Sequence, residues 1–284
     1  MQTSTIFDPA SGREQRVSKL GLGCNKVGSL GNPSSPAELR ALMRQAFDLG
    51  VTVFDTADIY GQGDSEREIG RALRSVRDEV FVVTKFGKRF STKMRLLRPL
   101  KPFLKPLLGP RGPGAGAVAT VTSRRHAAMR ENFSPAWLRQ ALDGSLRRLG
   151  FDRVDAVMLH SPPIEVFGDP QVAALMAELK ASGKVNHFGA SCDDWEGLIA
   201  AMGIPGLTVL QLPIDVIDRA AGADVAAQIA TRRIAVFARE VIRLQPDLKP
   251  AAAVAAWISR ADVACVLAGT SRPAHLEDLV RASG

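Results

Sequence analysis

Eight short runs rich in Val, Ile, Leu and Phe recur along the chain, separated by helix-like stretches, and this alternation limits the possible folds more than any other feature. The runs are VSKLGLG (17–23), VTVF (51–54), VFVVT (80–84), VDAVML (154–159), NHFGA (186–190), LTVLQ (207–211), IAVFA (234–238) and VACVLA (263–268). Several are apolar throughout, as befits parallel strands covered on both faces. The intervening stretches carry helix signals. Ser35, Pro36 and Glu38 supply a cap, a first-turn proline and a capping-box glutamate before Leu39, Leu42, Ala46 and Phe47, and Gly50 ends the run. Ser134 and Pro135 repeat the device before Leu138, Leu142, Leu146, Leu149 and Gly150, while Ser65 with Glu68 reads as another capping box. Eight strands alternating with helices in 284 residues predict an α/β fold of the (β/α)8 TIM barrel type, one domain over residues 1–284 with an insertion at about 88–131. An open doubly wound sheet is the competing layout, but GLGCNKVG after the first run lacks the G-x-G-x-x-G turn expected there.

Charge and cysteine usage narrow the class. The formal net charge is +8, yet eleven Lys and Arg and no carboxylate fall between Lys88 and Arg130, so the rest of the chain is net negative by three. The basicity is therefore local. Nucleic-acid binding is not expected, because Phe90 and Phe103 are the only aromatic rings in that segment apart from His126. Cys24, Cys192 and Cys265 are widely spaced and odd in number, which suggests buried thiols and neither a disulfide framework nor a metal site. The N-terminus has no basic start followed by an apolar run, and no apolar stretch is long enough to span a bilayer, so a soluble, cytoplasmic protein is expected.

Unusual polar residues fall at the C-terminal ends of the runs. Asp55 follows VTVF, Lys85 follows VFVVT, His160 follows VDAVML, Ser191 follows NHFGA, Gln211 closes LTVLQ and Arg239 follows IAVFA. In a barrel these ends converge on the face that carries catalysis. Tyr60, the single tyrosine of the chain, would hang over that mouth. A lysine cation about 4 Å from a phenol contributes roughly 4 kcal/mol at an effective dielectric of 20, or about three pKa units. Asp55 is thus expected to hold Lys85, Lys85 to acidify Tyr60, and His160 to orient or polarise a carbonyl oxygen.

These residues and their surroundings resemble the aldo-keto reductase superfamily, through KLGLGC (19–24), GVTVFDTADIYGQGDSE (50–66), VFVVTKFG (80–87), SLRRLGFDRVDAVMLHSP (145–162), GKVNHFGAS (183–191) and LAGTSRPAHLEDLV (267–280). The resemblance implies a barrel oxidoreductase that interconverts carbonyl and alcohol with NADP(H), with Asp55, Tyr60, Lys85 and His160 as a catalytic tetrad and Tyr60 as general acid. It also implies that Ser191 and Gln211 hold the nicotinamide carboxamide, that Gly269, Thr270, Ser271 and Arg272 surround the adenosine phosphate, and that Asp278 lies near the adenine. The guanidinium of Arg272 favours a 2′-phosphate and hence NADP(H) over NAD(H).

The chain departs from the family pattern in four places. Cys192 stands where an Asn is common, Arg239 where an aromatic often stacks on the nicotinamide, and Leu279 where an Asn is found near the adenine. Only EVIRLQPDL separates the seventh run from the next helix, so a shorter cover and looser cofactor retention are expected. A competing reading is a catalytically impaired barrel that serves as a cofactor-sensing or scaffold subunit. The basic insertion, MRLLRPLKPFLKPLL within it, mixes cations with Leu and Phe. That composition suits an anionic membrane surface or a large, anionic or lipid-linked carbonyl substrate.

Overall fold

The computed structural model describes residues 1–29, 31–90 and 129–284. The chain opens with an antiparallel hairpin, β1 (Thr3–Asp8) and β2 (Arg13–Ser18), before the first barrel strand, β3 (Leu20–Gly23). The remaining barrel strands are β4 (Val53–Asp55), β5 (Phe81–Phe86), β8 (Val154–His160), β9 (Val185–Ser191), β10 (Val209–Pro213), β11 (Ala235–Arg239) and β12 (Cys265–Ala268). A short antiparallel ribbon, β6 (Lys88–Phe90) with β7 (Met129–Glu131), stands at the two ends of the basic insertion; residues 91–128 lie outside the described ones. The barrel strands pair in parallel, in the order β3-β4-β5-β8-β9-β10-β11-β12, and β12 closes on β3. Each of the eight apolar runs contributes one barrel strand, so the (β/α)8 barrel is the fold and the open sheet is excluded.

The hairpin is invisible to a search for apolar runs, because Ile6 and Val17 are its only fully buried apolar residues. Those two do a specific job. They pack with Val53, Phe81, Val209 and Cys265, the first residues of their strands, and so close the floor of the barrel. The run 17–23 accordingly divides, with Val17 in the hairpin and Leu20 in the barrel. With the floor sealed by side chains, the opposite rim is left for a site.

The described helices are α1 (Pro36–Asp48), α2 (Asp64–Leu73), α3 (Pro135–Leu149), α4 (Ile164–Phe167), α5 (Pro170–Ala181), α6 (Trp195–Ala201), α7 (Ile214–Ala221), α8 (Asp224–Thr231), α9 (Pro250–Ile258) and α10 (Pro273–Arg281). Ser35 and Glu38 form the expected capping box on α1, and Gly150 ends α3 at φ 67°. Two expectations need correction. Ser65 is not a cap: α2 starts after Gly63 at φ 84°, Ser65 donates to the Cys24 carbonyl, and Glu68 pairs with Arg40 and Arg71. Ser134 precedes α3 but makes no capping bond with its side chain, which donates to Asn132 Oδ1 instead.

α2 and α3 meet at Gly70, where an added Cβ would lie 1.9 Å from the Leu149 carbonyl oxygen. This close approach brings Arg148 of α3 to Glu66 of α2, a fully buried carboxylate beneath the Tyr60 loop, at 2.5 Å. Gly70→Ala should gain helix propensity of about 1 kcal/mol but lose more to the backbone clash, a net destabilisation of roughly 1–3 kcal/mol. Urea unfolding of the two proteins measures it, and an unchanged midpoint would contradict the packing described.

Candidate active site

Asp55 is the last residue of β4 and Lys85 the penultimate residue of the neighbouring strand β5, two residues beyond Val83, the register partner of Asp55, so adjacent strand ends bring both to the mouth. Lys85 Nζ donates to Asp55 Oδ1 at 2.7 Å, to Oδ2 at 2.8 Å and to the Thr56 carbonyl at 3.0 Å. The two side chains are nearly inaccessible, and a buried ion pair persists only when its remaining hydrogen-bonding capacity is also met. Asp55 Oδ1 accepts a further bond from Gln211 Nε2 at 2.9 Å, and Gln211 Oε1 accepts from Ser191 Oγ at 3.0 Å.

Tyr60 opens a single 3-10 turn, Tyr60–Gln62, that follows β4, with Gly61 and Gly63 supplying positive φ. Its ring centroid lies 5.2 Å from Lys85 Nζ and 5.9 Å from the His160 ring, which it meets edge to face. His160 ends β8, so four residues scattered between positions 55 and 160 converge on one spot.

Burial is the first influence on these groups. Tyr60 keeps some accessible surface but is set deep among protein atoms, and this pushes its phenol above the ordinary range; Lys85 pulls it down and Asp55 pushes it up again. Lys85 acts in the expected acidifying sense, but the net direction is upward. The ammonium's pull is smaller than the cost of removing a phenolate from water. Burial also opposes the charge on Lys85, but Asp55 and then Tyr60 outweigh it and hold the ammonium above its usual value. His160 is pushed well below the usual imidazole range by burial and by the charges of Lys85, Lys88 and Arg239, so it is neutral at physiological pH.

Ser191 and Gln211, expected as cofactor contacts, sit behind the tetrad with 3% and 2% of their surface accessible. Arg239 ends β11 and is anchored sideways: Nη2 donates to the Cys192 carbonyl at 2.8 Å and pairs with Asp193 at 2.5 Å, while Nη1 reaches Glu240 at 3.0 Å. Its Nε is buried without a partner among the described residues, as is His160 Nδ1. Gly269, Thr270, Ser271 and Arg272 follow β12, with Thr270 Oγ1 accepting from the Arg272 amide at 3.1 Å and Arg272 exposed ahead of α10. A Cβ on Gly269 would lie 3.1 Å from the Gly23 carbonyl, so this segment lies against the end of β3. Asp278 is not gathered with the others; it is exposed on α10 and pairs with Arg281 one turn away. Cys24, Cys192 and Cys265 are free and buried.

Several supporting residues were not signalled by strand-end position. Glu66 accepts from Thr84 Oγ1 at 2.7 Å as well as from Arg148, and Asp58 is a deeply set carboxyl driven well above its usual range by burial and then by Glu66. Lys88, Arg89, Arg147 and Trp137 line a cavity of about 710 Å³ with Asp58 and Ile59 of the Tyr60 loop. Of these, Asp58, Ile59, Glu66, Thr84, Arg147 and Arg148 lie inside sequence motifs that also carry a tetrad residue, whereas Lys88, Arg89 and Trp137 lie outside them.

The sequence model of the Aldo/keto reductase family matches residues 19–243. Among curated relatives, the chain is 29% identical over 180 residues to "Aldo-keto reductase yakc [NADP(+)]" of Schizosaccharomyces pombe, covering 62% of this chain and 42% of that protein. It is 27% identical over 212 residues to the "NADH-specific methylglyoxal reductase" of Escherichia coli, covering 72% and 57%. The chain thus spans about half the length of the curated relatives it matches. Among solved structures, an aldo-keto reductase from Bacillus halodurans in its holo form superposes with a TM-score of 0.74 at 20% identity, covering 99% of this chain and 90% of that one. One from Klebsiella pneumoniae in complex with NADPH gives 0.68 at 20% identity, covering 100% and 90%. With a parallel eight-stranded barrel and a family match across most of its length, the chain belongs to the aldo-keto reductase family.

Proposed function

We propose that the protein is an NADP(H)-dependent oxidoreductase that reduces an aldehyde or ketone to an alcohol, or runs the reverse reaction, with Tyr60 as general acid and base. The observation that carries this reading is the buried Lys85–Asp55 pair at 2.7 Å with Nζ 5.2 Å from the Tyr60 ring. Such a pair is costly to bury and has a clear use beside a phenol that must give up a proton.

The residues at the mouth fit a dinucleotide. Ser191 and Gln211 offer a hydroxyl and an amide suited to a carboxamide; Arg239 brings a buried, unpartnered Nε; and Arg272 is an exposed guanidinium with no carboxylate partner among the described residues. Arg272 supports a 2′-phosphate, and the NADP(+) in the fission-yeast relative's name agrees, whereas the bacterial relative is NADH-specific. When bound, the nicotinamide supplies the hydride that goes to the carbonyl carbon. Tyr60 Oη gives its proton to the carbonyl oxygen, which completes the alcohol; in the oxidising direction the same atom takes the proton back. Lys85 steadies the phenolate left behind, Asp55 keeps Lys85 charged, and the neutral His160 ring orients the carbonyl oxygen. The alternative of a non-catalytic scaffold predicts cofactor binding without turnover.

The cations Lys88, Arg89 and Arg147 beside the Tyr60 loop support a substrate with an anionic end. Lys88→Glu is expected to raise KM about tenfold for a carboxylate-bearing aldehyde and to leave a neutral aldehyde nearly unchanged, one charge reversal at a part-exposed site being worth about 1–2 kcal/mol. Equal effects on both would remove the preference.

Tyr60→Phe should lower kcat by about 10²–10⁴-fold while NADPH binding, followed by fluorescence titration, is retained. Turnover unharmed by that change sinks the assignment. Because the acid must be protonated and its proton affinity is raised, kcat/KM for reduction should be flat through neutrality and fall only as pH rises through the alkaline phenol value. His160, held neutral, should add no acid limb near about pH 6.5. A pH–rate profile breaking close to neutrality would contradict both assignments.

A further inference from the structure

β4 and β10 stand four strands apart whichever way the ring is followed, so they face each other across the bore. The Gln211–Asp55 hydrogen bond of 2.9 Å therefore crosses the barrel and does not run along it. Gln211 is held in turn by Ser191 at 3.0 Å, its register partner on neighbouring β9. The result is a directed row in which Ser191 donates to Gln211, Gln211 donates to Asp55, and Asp55 accepts Lys85, with every member at most 6% accessible. Away from water, an amide N–H aimed at a carboxylate offsets part of its negative field, and linked hydrogen bonds reinforce one another.

We propose that Gln211 is a positioning residue that governs how readily Tyr60 releases its proton, acting through Asp55 and Lys85, with Ser191 setting the strength of the Gln211 donor. The relevance of this control to turnover rests on the reductase reading given above; the control itself does not. Charged and titratable groups that face the phenol are Asp55, Lys85, His160 and Arg239, while the thiols of Cys24 and Cys265 lie near Asp55 and are kept protonated by burial. Of these, Asp55 alone is contacted by the Gln211 amide, so removing that amide leaves the negative field of Asp55 less offset and makes Tyr60 hold its proton more tightly. Ser191 and Gln211 are also the side chains with which a carboxamide would compete. Occupancy of the mouth and acidity of the phenol are then two readings of one hydrogen-bond row.

Tyr60 is the only tyrosine of the chain, so tyrosinate absorbance reports it alone. The test titrates the protein without cofactor, comparing the native chain with Gln211→Met, which keeps the length but lacks the donor, and with Ser191→Ala. Circular dichroism along each titration restricts the reading to folded protein. The tyrosinate transition should move to higher pH by about half to one unit in Gln211→Met, the scale of one charge-assisted hydrogen bond shared over two partners, and by less in Ser191→Ala. Where only its onset is reached before alkaline unfolding, the onset should be delayed in the same order. The alkaline limb of kcat/KM should shift with it. Should Gln211→Met fail to fold, Ser191→Ala carries the comparison. An unmoved transition overturns the proposal, including the case in which NADPH binding weakens, for Gln211 would then only hold the cofactor. A native chain inactive on every carbonyl tested would instead remove the reductase reading, while the titration still decides the role of Gln211.

Discussion

The arrangement depends on one buried ion pair. Lys85 and Asp55 are both taken out of water, and an unpaired charge at either position would be costly enough to threaten the fold. The surrounding residues read as the answer to that problem. The Thr56 carbonyl takes the third proton of the ammonium, Gln211 crosses the bore to a carboxylate oxygen, and Ser191 fixes Gln211. Such expense for a stability role alone would be hard to account for, since apolar side chains of similar volume could fill the same space at no electrostatic cost. What the pair uniquely offers is a fixed positive charge 5.2 Å from the centre of a phenol ring.

The rest of the barrel places that charge. The hairpin seals the floor with Ile6 and Val17, so the bore is a packed core over most of its depth and polar groups are confined to the strand ends. The close α2–α3 contact at Gly70 seats Arg148 on Glu66, and Glu66 in turn holds Thr84, the residue before Lys85. The loop carrying Tyr60 is thus braced from beneath by a second, part-buried ion pair whose carboxylate is fully buried.

Much of this was legible in the sequence, for identifiable reasons. Strands buried on both faces carry mostly apolar residues, which is why all eight barrel strands could be read as runs, and why Asp55, Lys85 and His160 stood out at their ends. The hairpin was missed because one face of it meets solvent, leaving two buried apolar side chains among polar ones. Ser65 was misread as a cap because its fixed spacing from Glu68 looks the same whether the hydroxyl faces its own helix or, as here, the Cys24 carbonyl. The net upward direction at Tyr60 was not legible, because spacing shows which charge is near but not how much water has been lost. The link from Gln211 to Asp55 could not be read at all, since residues 156 positions apart meet only through ring closure.

That last contact also has a bearing on how the protein comes into being. A hydrogen bond between diametrically opposed strands has no meaning in a half-formed sheet, and long-range pairings of this kind are slow to assemble because their chain entropy must be surrendered before any contact repays it. The Gln211–Asp55 contact is therefore a product of the completed cylinder, and no early intermediate or fragment ending before β10 can form it.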